Sequence, residues 1–291
     1  MSNKSNGSFR WLNLSALILA LLASAFSINA QQIVSENGGG TNDATSGNIK
    51  SDKKTKEKAA PAPSSTYNWS GFYVGGQVGY GWGKGDTKFE PLPDPPTFVN
   101  LAPTTIDPKA KGAIIGGYGG YNWQAGHLVV GAVADFNWSN LDKSVFVTPI
   151  TQNNGTPFTG GGSLTTRQKI KWHGTVRPRV GVAFDRVLIY GTAGLAYASI
   201  SNNANTDFHP FGTVEYPAPA QNNRAKMGWT AGGGVEIGIN KHFSIKSEYL
   251  YYDFGKQSAI ANPIPALPPF QVKYTWENKL QSWNTGVTFR F

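Results

Sequence analysis

From Trp69 onward the chain alternates between bulky apolar and small or polar residues with a period of two. In the stretch 71–83, Phe72, Val74, Val78, Tyr80 and Trp82 share one parity, and Tyr73, Gly75, Gln77, Gly79 and Gly81 share the other. Successive side chains of a strand point to opposite faces, so the pattern predicts a strand between an apolar and a more polar environment. Phe72 and Trp82 mark its ends. At ~3.3 Å per residue and ~45° of tilt they lie roughly 23 Å apart, the height of a membrane band bordered by two aromatic girdles.

The same alternation over 69–82, 113–123, 128–141, 169–184, 187–198, 226–239, 243–254 and 282–291 predicts eight strands. The connections at 124–127, 185–186 and 240–241 are tight, whereas 84–112, 142–168, 199–225 and 255–281 are long. Short turns at one end and long loops at the other are the layout of a transmembrane barrel, and an even strand number places both termini on the short-turn, periplasmic side. The expected fold is therefore all-β: an eight-stranded antiparallel transmembrane β-barrel. Only closure satisfies the backbone of a sheet in hydrocarbon. Of the 18 prolines, only Pro178 falls within an expected strand, and because proline cannot donate to a ladder, a bulge is expected there. The long loops carry most of the others and read as extended, exposed surface.

Charge sharpens this picture. Asp135, Arg177, Arg179, Glu236, Lys246, Glu248 and Arg290 are the charges deep within strands, and each falls opposite its strand's bulky apolar face. An Arg or Lys facing lipid near the midplane costs ~2–4 kcal/mol. The seven charges are therefore expected to face inward as a nearly balanced network, filling a ring too narrow for more than its own side chains. Such a lumen conducts small solutes at most through a narrow path. The chain combines 35 Gly, 13% aromatic and 15% charged residues with a mean hydropathy of −0.31, which suits strands between two environments better than a dry globular core.

The N-terminal region reads differently. Lys4 and Arg10 precede an apolar run ending at Phe26, with a small residue, Ala30, before Gln31. That is the layout of a secretory signal over 1–30, and the run is too short for a membrane span. Residues 31–66 are rich in Gly, Asn, Ser, Lys and Ala-Pro and are expected to form a disordered periplasmic linker, leaving 67–291 as the barrel. Loss of Lys4 and Arg10 leaves a formal charge of +7. The one dense cationic stretch, 50–58, is diluted by Asp52 and Glu57, so no nucleic-acid partner is expected. With no cysteine there is neither a disulfide framework nor a thiolate site.

Four segments taken together carry a family resemblance: Asn68 to Gly83, Tyr190 to Tyr197, Ser247 to Gly255 and the aromatic C-terminus. They resemble the small porin-like barrels of alphaproteobacterial outer membranes, which include the outer-membrane immunogenic proteins and the hemin-binding proteins. The resemblance implies location in the Gram-negative cell outer membrane, a structural and surface-antigen role, and lipid and lipopolysaccharide as surroundings. It also implies that the last strand, with Trp283, Val287, Phe289 and Phe291 on its lipid parity, is the address read by the outer-membrane assembly machinery. A host or envelope ligand at the loops is a further expectation.

Candidate chemistry is sparse. The histidines show no metal spacing. His209 and Tyr216 form a candidate axial pair for haem, the alternative in which the barrel is a ligand-binding receptor; otherwise no cofactor and no metal are expected. Asp135, Ser139 and His173 share the inward parity on neighbouring strands, which raises a remote alternative, a lipid-modifying enzyme. The expectation is a protein without catalytic residues. Gly116 to Gly120 is glycine-rich but precedes no helical pattern, so strand packing is the expected role.

Overall fold

The computed structural model describes residues 67–92, 102–152, 154–157, 160–209 and 214–291. The expected signal and linker lie outside them. Ten strands run in chain order: β1 (Gly71–Lys84), β2 (Thr87–Leu92), β3 (Thr104–Ile106), β4 (Lys111–Ala125), β5 (Leu128–Val147), β6 (Gly162–Phe184), β7 (Val187–Phe208), β8 (Ala218–Gly238), β9 (Phe243–Ala261) and β10 (Gln271–Arg290). Strands β1 and β4 through β10 pair antiparallel in sequence order, and β10 returns to β1 from Tyr73↔Arg290 to Lys84↔Lys279. This closes a ring of eight. Two of the periplasmic turns are tight hairpins that place Gly126 (φ 61°) and Asp185 (φ 50°) in the left-handed region, the twist that short hairpins need.

Within the membrane band the alternation places apolar side chains outward. Two aromatic girdles border it. One contains Phe72 against Tyr121, and Phe243 against Phe289. The other contains Trp82 and Trp283 on either side of Tyr249, together with Phe136, Trp172 and Tyr197. No helix among the described residues is long and apolar enough to cross a membrane, and the crossing is made by the strands.

The upper ends of the strands depart from expectation. Much of 142–168, 199–225 and 255–281, read above as long loops, continues as strand, and 84–112 contributes β2 and β3. The pairing changes as well. The β8–β9 ladder stops at Trp229↔Asp253 and the β4–β5 ladder at Lys111↔Asp142, while β2 pairs with β10 and β3 with β2. Above the membrane the wall thus parts into two four-stranded sheets, β5-β6-β7-β8 and β9-β10-β2-β3. Leu164, Ala204, Phe208, Ala218 and Ala220 of the first sheet meet Phe89, Ile106, Val272, Tyr274 and Trp276 of the second in one buried cluster. On β7, Ile200, Ala204 and Phe208 face in, while Ser201, Asn203 and Asn205 face out. The alternation persists with its sense inverted, because here water is outside and the dry side is inside.

Proline follows these edges. Pro219 lies on the part of β8 beyond its β9 ladder, and Pro91 on the part of β2 beyond its β3 ladder, where a missing donor goes unused. The bulge expected at Pro178 is absent. Val176↔Leu195 and Arg179↔Thr192 keep one register across it, and the irregularities of β6 and β5 lie at Ile170/Trp172 and Trp138/Leu141 instead. The ladder to β7 skips Pro178, whose carbonyl accepts a hydrogen bond from Thr192 Oγ1 at 2.8 Å. A side-chain donor on the facing strand thus satisfies the proline carbonyl without any added residue.

Candidate functional site

The barrel interior is built in layers, beginning at the periplasmic mouth. Trp69, ahead of β1, does not join the girdle. Residues 67 and 69 continue the inward parity of Tyr73, and both side chains fold under the ring to pack with Val129, Ala183, Leu188 and Tyr190. Hydrogen bonds fix them there: Trp69 Nε1 to the Asp185 carbonyl at 3.0 Å, Trp69 N to Gln124 Oε1 at 2.7 Å, and Tyr67 Oη to the Asn240 carbonyl at 2.9 Å. Arg290 closes the plug from above, 4.7 Å from the Trp69 ring and donating to Tyr67 Oη at 3.2 Å. The signal for this plug was parity itself, which continued past the first residue of the strand.

Above it, Glu236 accepts from Arg179 Nη2 at 2.9 Å, Arg290 Nη2 at 3.3 Å and Ser244 Oγ at 2.6 Å. The Arg179 guanidinium covers the Tyr190 ring at 3.9 Å. In the next layer Arg177, with no exposed surface, clamps Glu248 through both terminal nitrogens at 3.1 and 3.2 Å and reaches Asp135 at 3.0 Å. Asp135 also accepts from Thr175 Oγ1 and from Asn137 Nδ2. Lys246 lies 3.9 Å from Glu248 and 3.3 Å over the Tyr118 ring. All seven strand charges therefore lie inside, four cations against three carboxylates. Buried ions are tolerated when paired and hydrogen-bonded, and removing one partner leaves its counter-charge uncompensated.

Further up, Ile114, Leu141, Ile170, Leu250, Tyr252 and Leu280 form an aliphatic and aromatic layer. A carboxamide layer follows, in which Asn278 Oδ1 accepts from Gln168 Nε2 at 3.1 Å and from Asn202 Nδ2 at 2.9 Å. Plug, ions, hydrocarbon, amides and sandwich core succeed one another along the axis. A solute crossing this lumen must displace each in turn.

The other sequence candidates are dispersed. Ser139 keeps the inward parity, opposite the buried Ile114 in the β4–β5 ladder, but is only half-buried; it donates to the Ile170 carbonyl at 3.0 Å. His173 is fully buried edge-to-face with Tyr252, and neither ring nitrogen makes a hydrogen bond. Asp135 belongs to the Arg177 clamp, so among the described residues no hydrogen bond joins the three into a relay. His209 Nε2 lies 3.6 Å from Glu215 Oε1, and the Tyr216 ring stacks on Phe208 at 6.0 Å. These contacts engage both side chains with neighbours of their own hairpin. Among the described residues no group of three or more His, Asp or Glu side chains is placed to hold a metal. Trp283, Val287, Phe289 and Phe291 all present their side chains to the lipid.

A closed ring with lipid-facing apolar residues, two girdles and a filled interior defines an integral outer-membrane β-barrel protein. The chain matches the family described as outer membrane protein beta-barrel domain over residues 57–291, and it belongs to that family. It is 34% identical over 213 residues to the 31 kDa outer-membrane immunogenic protein of Brucella melitensis biotype 1, covering 72% of this chain and 82% of that one. It is 27% identical over 206 residues to the 25 kDa outer-membrane immunogenic protein of Brucella abortus biovar 1, covering 70% and 75%. Among solved structures, the outer membrane protein OprG of Pseudomonas aeruginosa aligns with 76% of this chain and 97% of its own, at 12% identity and a TM-score of 0.43. The protein resides in the cell outer membrane.

Proposed function

We propose that this barrel is a structural and surface-antigen protein that carries no open pore and no catalytic centre. The observation supporting this most directly is Arg177, fully buried between Asp135 and Glu248 with closed layers above and below it. The extracellular sandwich is what the cell displays, a folded two-sheet surface. Purified protein in planar bilayers is expected to give no porin-sized current steps. Stable large steps would overturn the closed-lumen reading, and esterase or protease turnover abolished by His173→Ala would overturn the non-enzymatic one.

The last strand serves in this reading as the assembly address, with its aromatic and apolar side chains on the lipid face and its outer edge paired to β1. Deleting Phe291 is expected to reduce the heat-modifiable fraction in outer membranes more than deleting residues 40–55. Equal insertion of the two deletion proteins would reject that role.

A further inference from the structure

One sector of the barrel wall, spanning β4 to β8, carries three unlike surfaces stacked along the membrane normal. At lipid depth an outward groove of about 450 Å³ has Gly117, Gly119 and Ala134 as its floor and Phe136, Trp138 and Tyr197 around it. A Cβ on Gly117 would come no closer than 3.6 Å to any other group, so the floor is low because side chains are missing there and not because neighbours fill it. Trp172 stacks on Phe136 at 5.8 Å and meets Tyr197 at 6.2 Å, which extends the aromatic wall across β6.

Directly above this wall stand Lys171, Lys169 and Arg167 on β6. Arg167 holds Asp142 through two nitrogens, at 2.8 and 2.5 Å, and Lys169 shares the same carboxylate at 3.9 Å. Among the described residues no carboxylate lies within ion-pair distance of Lys171. Two cations therefore share one acid and the third has none, just above the aromatic wall.

Higher still, a second outward groove of about 270 Å³ includes Arg167, Asn203, Asn205 and Gln221 in its lining. Cross-strand registers align its lining in two rows, Ser144, Arg167, Asn203 and Gln221 in one and Thr165, Asn205 and Pro219 in the next, with Phe146 pairing Thr165 at the border of the second. Asn203 and Asn205 are half-buried and lie on the outward parity of β7. Phe146, 63% exposed, offers a flat apolar face beside them. A groove lined by hydroxyls and carboxamides next to an exposed ring matches a saccharide, which presents hydroxyls at its edge and C–H groups on its face. The six residues from Tyr197 to Asn203 climb roughly 14 Å at ~3.3 Å per residue and ~45° tilt, the length of a headgroup with its first sugars.

We propose that this sector is a binding site for one phosphorylated, acylated saccharide of the outer leaflet, with its acyl chain on the glycine floor, its phosphate at Arg167, Lys169 and Lys171, and its sugar against Phe146, Asn203 and Asn205. The proposal needs the barrel in its membrane but is independent of whether the lumen conducts. Full-length protein in detergent is examined by native mass spectrometry with three probes: lipopolysaccharide carrying its core sugars, bisphosphorylated lipid A, and phosphatidylglycerol. Retention is expected to fall in that order. The triple variant Arg167→Gln, Lys169→Gln, Lys171→Gln should lose about tenfold in retention of both phosphorylated saccharides. The variant Phe146→Ala, Asn203→Ala, Asn205→Ala should bring lipopolysaccharide down to the level of lipid A and leave lipid A unchanged. Removing as many charges from the other sheet, with Lys256→Gln, Lys273→Gln and Lys279→Gln, should change neither. Heat-modifiability establishes that each variant is folded. Equal loss from both charge variants would reduce the sector to diffuse attraction and overturn the site, as would phosphatidylglycerol held as well as lipid A. Unchanged lipopolysaccharide binding after loss of Phe146, Asn203 and Asn205 would overturn the sugar contacts.

Discussion

The same strands build two structures with opposite interiors. Within the bilayer, β6 points Val176, Val180 and Val182 outward and Arg177 and Arg179 inward; above it, the same strand points Thr165 and Arg167 outward and Leu164 and Ile170 inward. The irregularity at Ile170/Trp172 swaps which parity faces in, but the chain is strand on both sides of it, and what each face must carry is set by the solvent. In lipid the apolar face loses nothing by exposure, and the interior is free to hold ions provided that they pair. In water the apolar face must be covered, and the cover here is the second sheet. A strand that crosses an interface thus carries two hydrophobic codes in series, with the girdle residues marking where one ends.

The largest effect that tests this comparison is expected from Arg177→Leu, which leaves Asp135 and Glu248 without their shared cation. Loss of one partner from a buried ion network costs about 3–5 kcal/mol, read as a lower denaturant midpoint for the heat-modifiable form in detergent. A midpoint equal to that of the unmodified protein would mean that the ions are hydrated in place and the membrane half is not dry.

Trp276→Ala should cost a comparable amount, about 3–5 kcal/mol, but confined to the extracellular half. Limited proteolysis of intact cells should then cut the sandwich while the membrane band stays protected. Val78→Ala, on the lipid face, should stay within about 0.5 kcal/mol because lipid takes the vacated space. Equal cleavage of the Trp276 variant and the unmodified protein would remove the claim that the upper half has its own core.

A matched pair of outward positions on β6 separates the two solvents more directly. Val176→Arg should destabilise by about 2–4 kcal/mol, and Thr165→Arg by close to nothing. Similar unfolding midpoints for the two would place the membrane border elsewhere.

The smallest effect concerns pH. The hydrogen bond from Arg167 holds the Asp142 carboxyl below its ordinary range. An acid whose pKa is depressed in the folded state stabilises above its unfolded value, near 3.9 for Asp, and that contribution is lost as pH falls through the folded value. The stability gap between the unmodified protein and Asp142→Asn should hold steady above about pH 5 and close under more acidic conditions. A gap that widens on acidification would refute the pairing.

The membrane half was legible because its code is redundant. Parity, girdle spacing, turn lengths and the side occupied by Arg177, Glu236 and Lys246 all agree on one register. The extracellular half escaped because expectation stopped at the aromatic border: burial alternates regularly from Ile200 to Phe208, but Asn202 and Thr206 interrupt the inward row and Ser201, Asn203 and Asn205 make the outward row polar, so it read as loop. Pro91 and Pro219 reinforced that error, since their edge positions depend on the split between the sheets, which no local pattern records. Partner choice within the lumen was equally hidden. Inward parity puts Arg177 and Glu248 in one space, but that Arg177 grips Glu248 while Arg179 grips Glu236 depends on stagger around the ring.

The seating of Tyr67 and Trp69 has a mechanical side. Their hydrogen bonds end on Gln124, Asp185 and Asn240, next to three different periplasmic turns, and Arg290 ties them to the closing strand. A pull on the chain ahead of Tyr67 would therefore be shared among three hairpin ends and the end of the closing strand before it reached the β1 ladder. The tether point is spread over the base of the barrel like the stay lines of a mast, so tension from the periplasm would load the ring evenly instead of peeling its first strand away from the last.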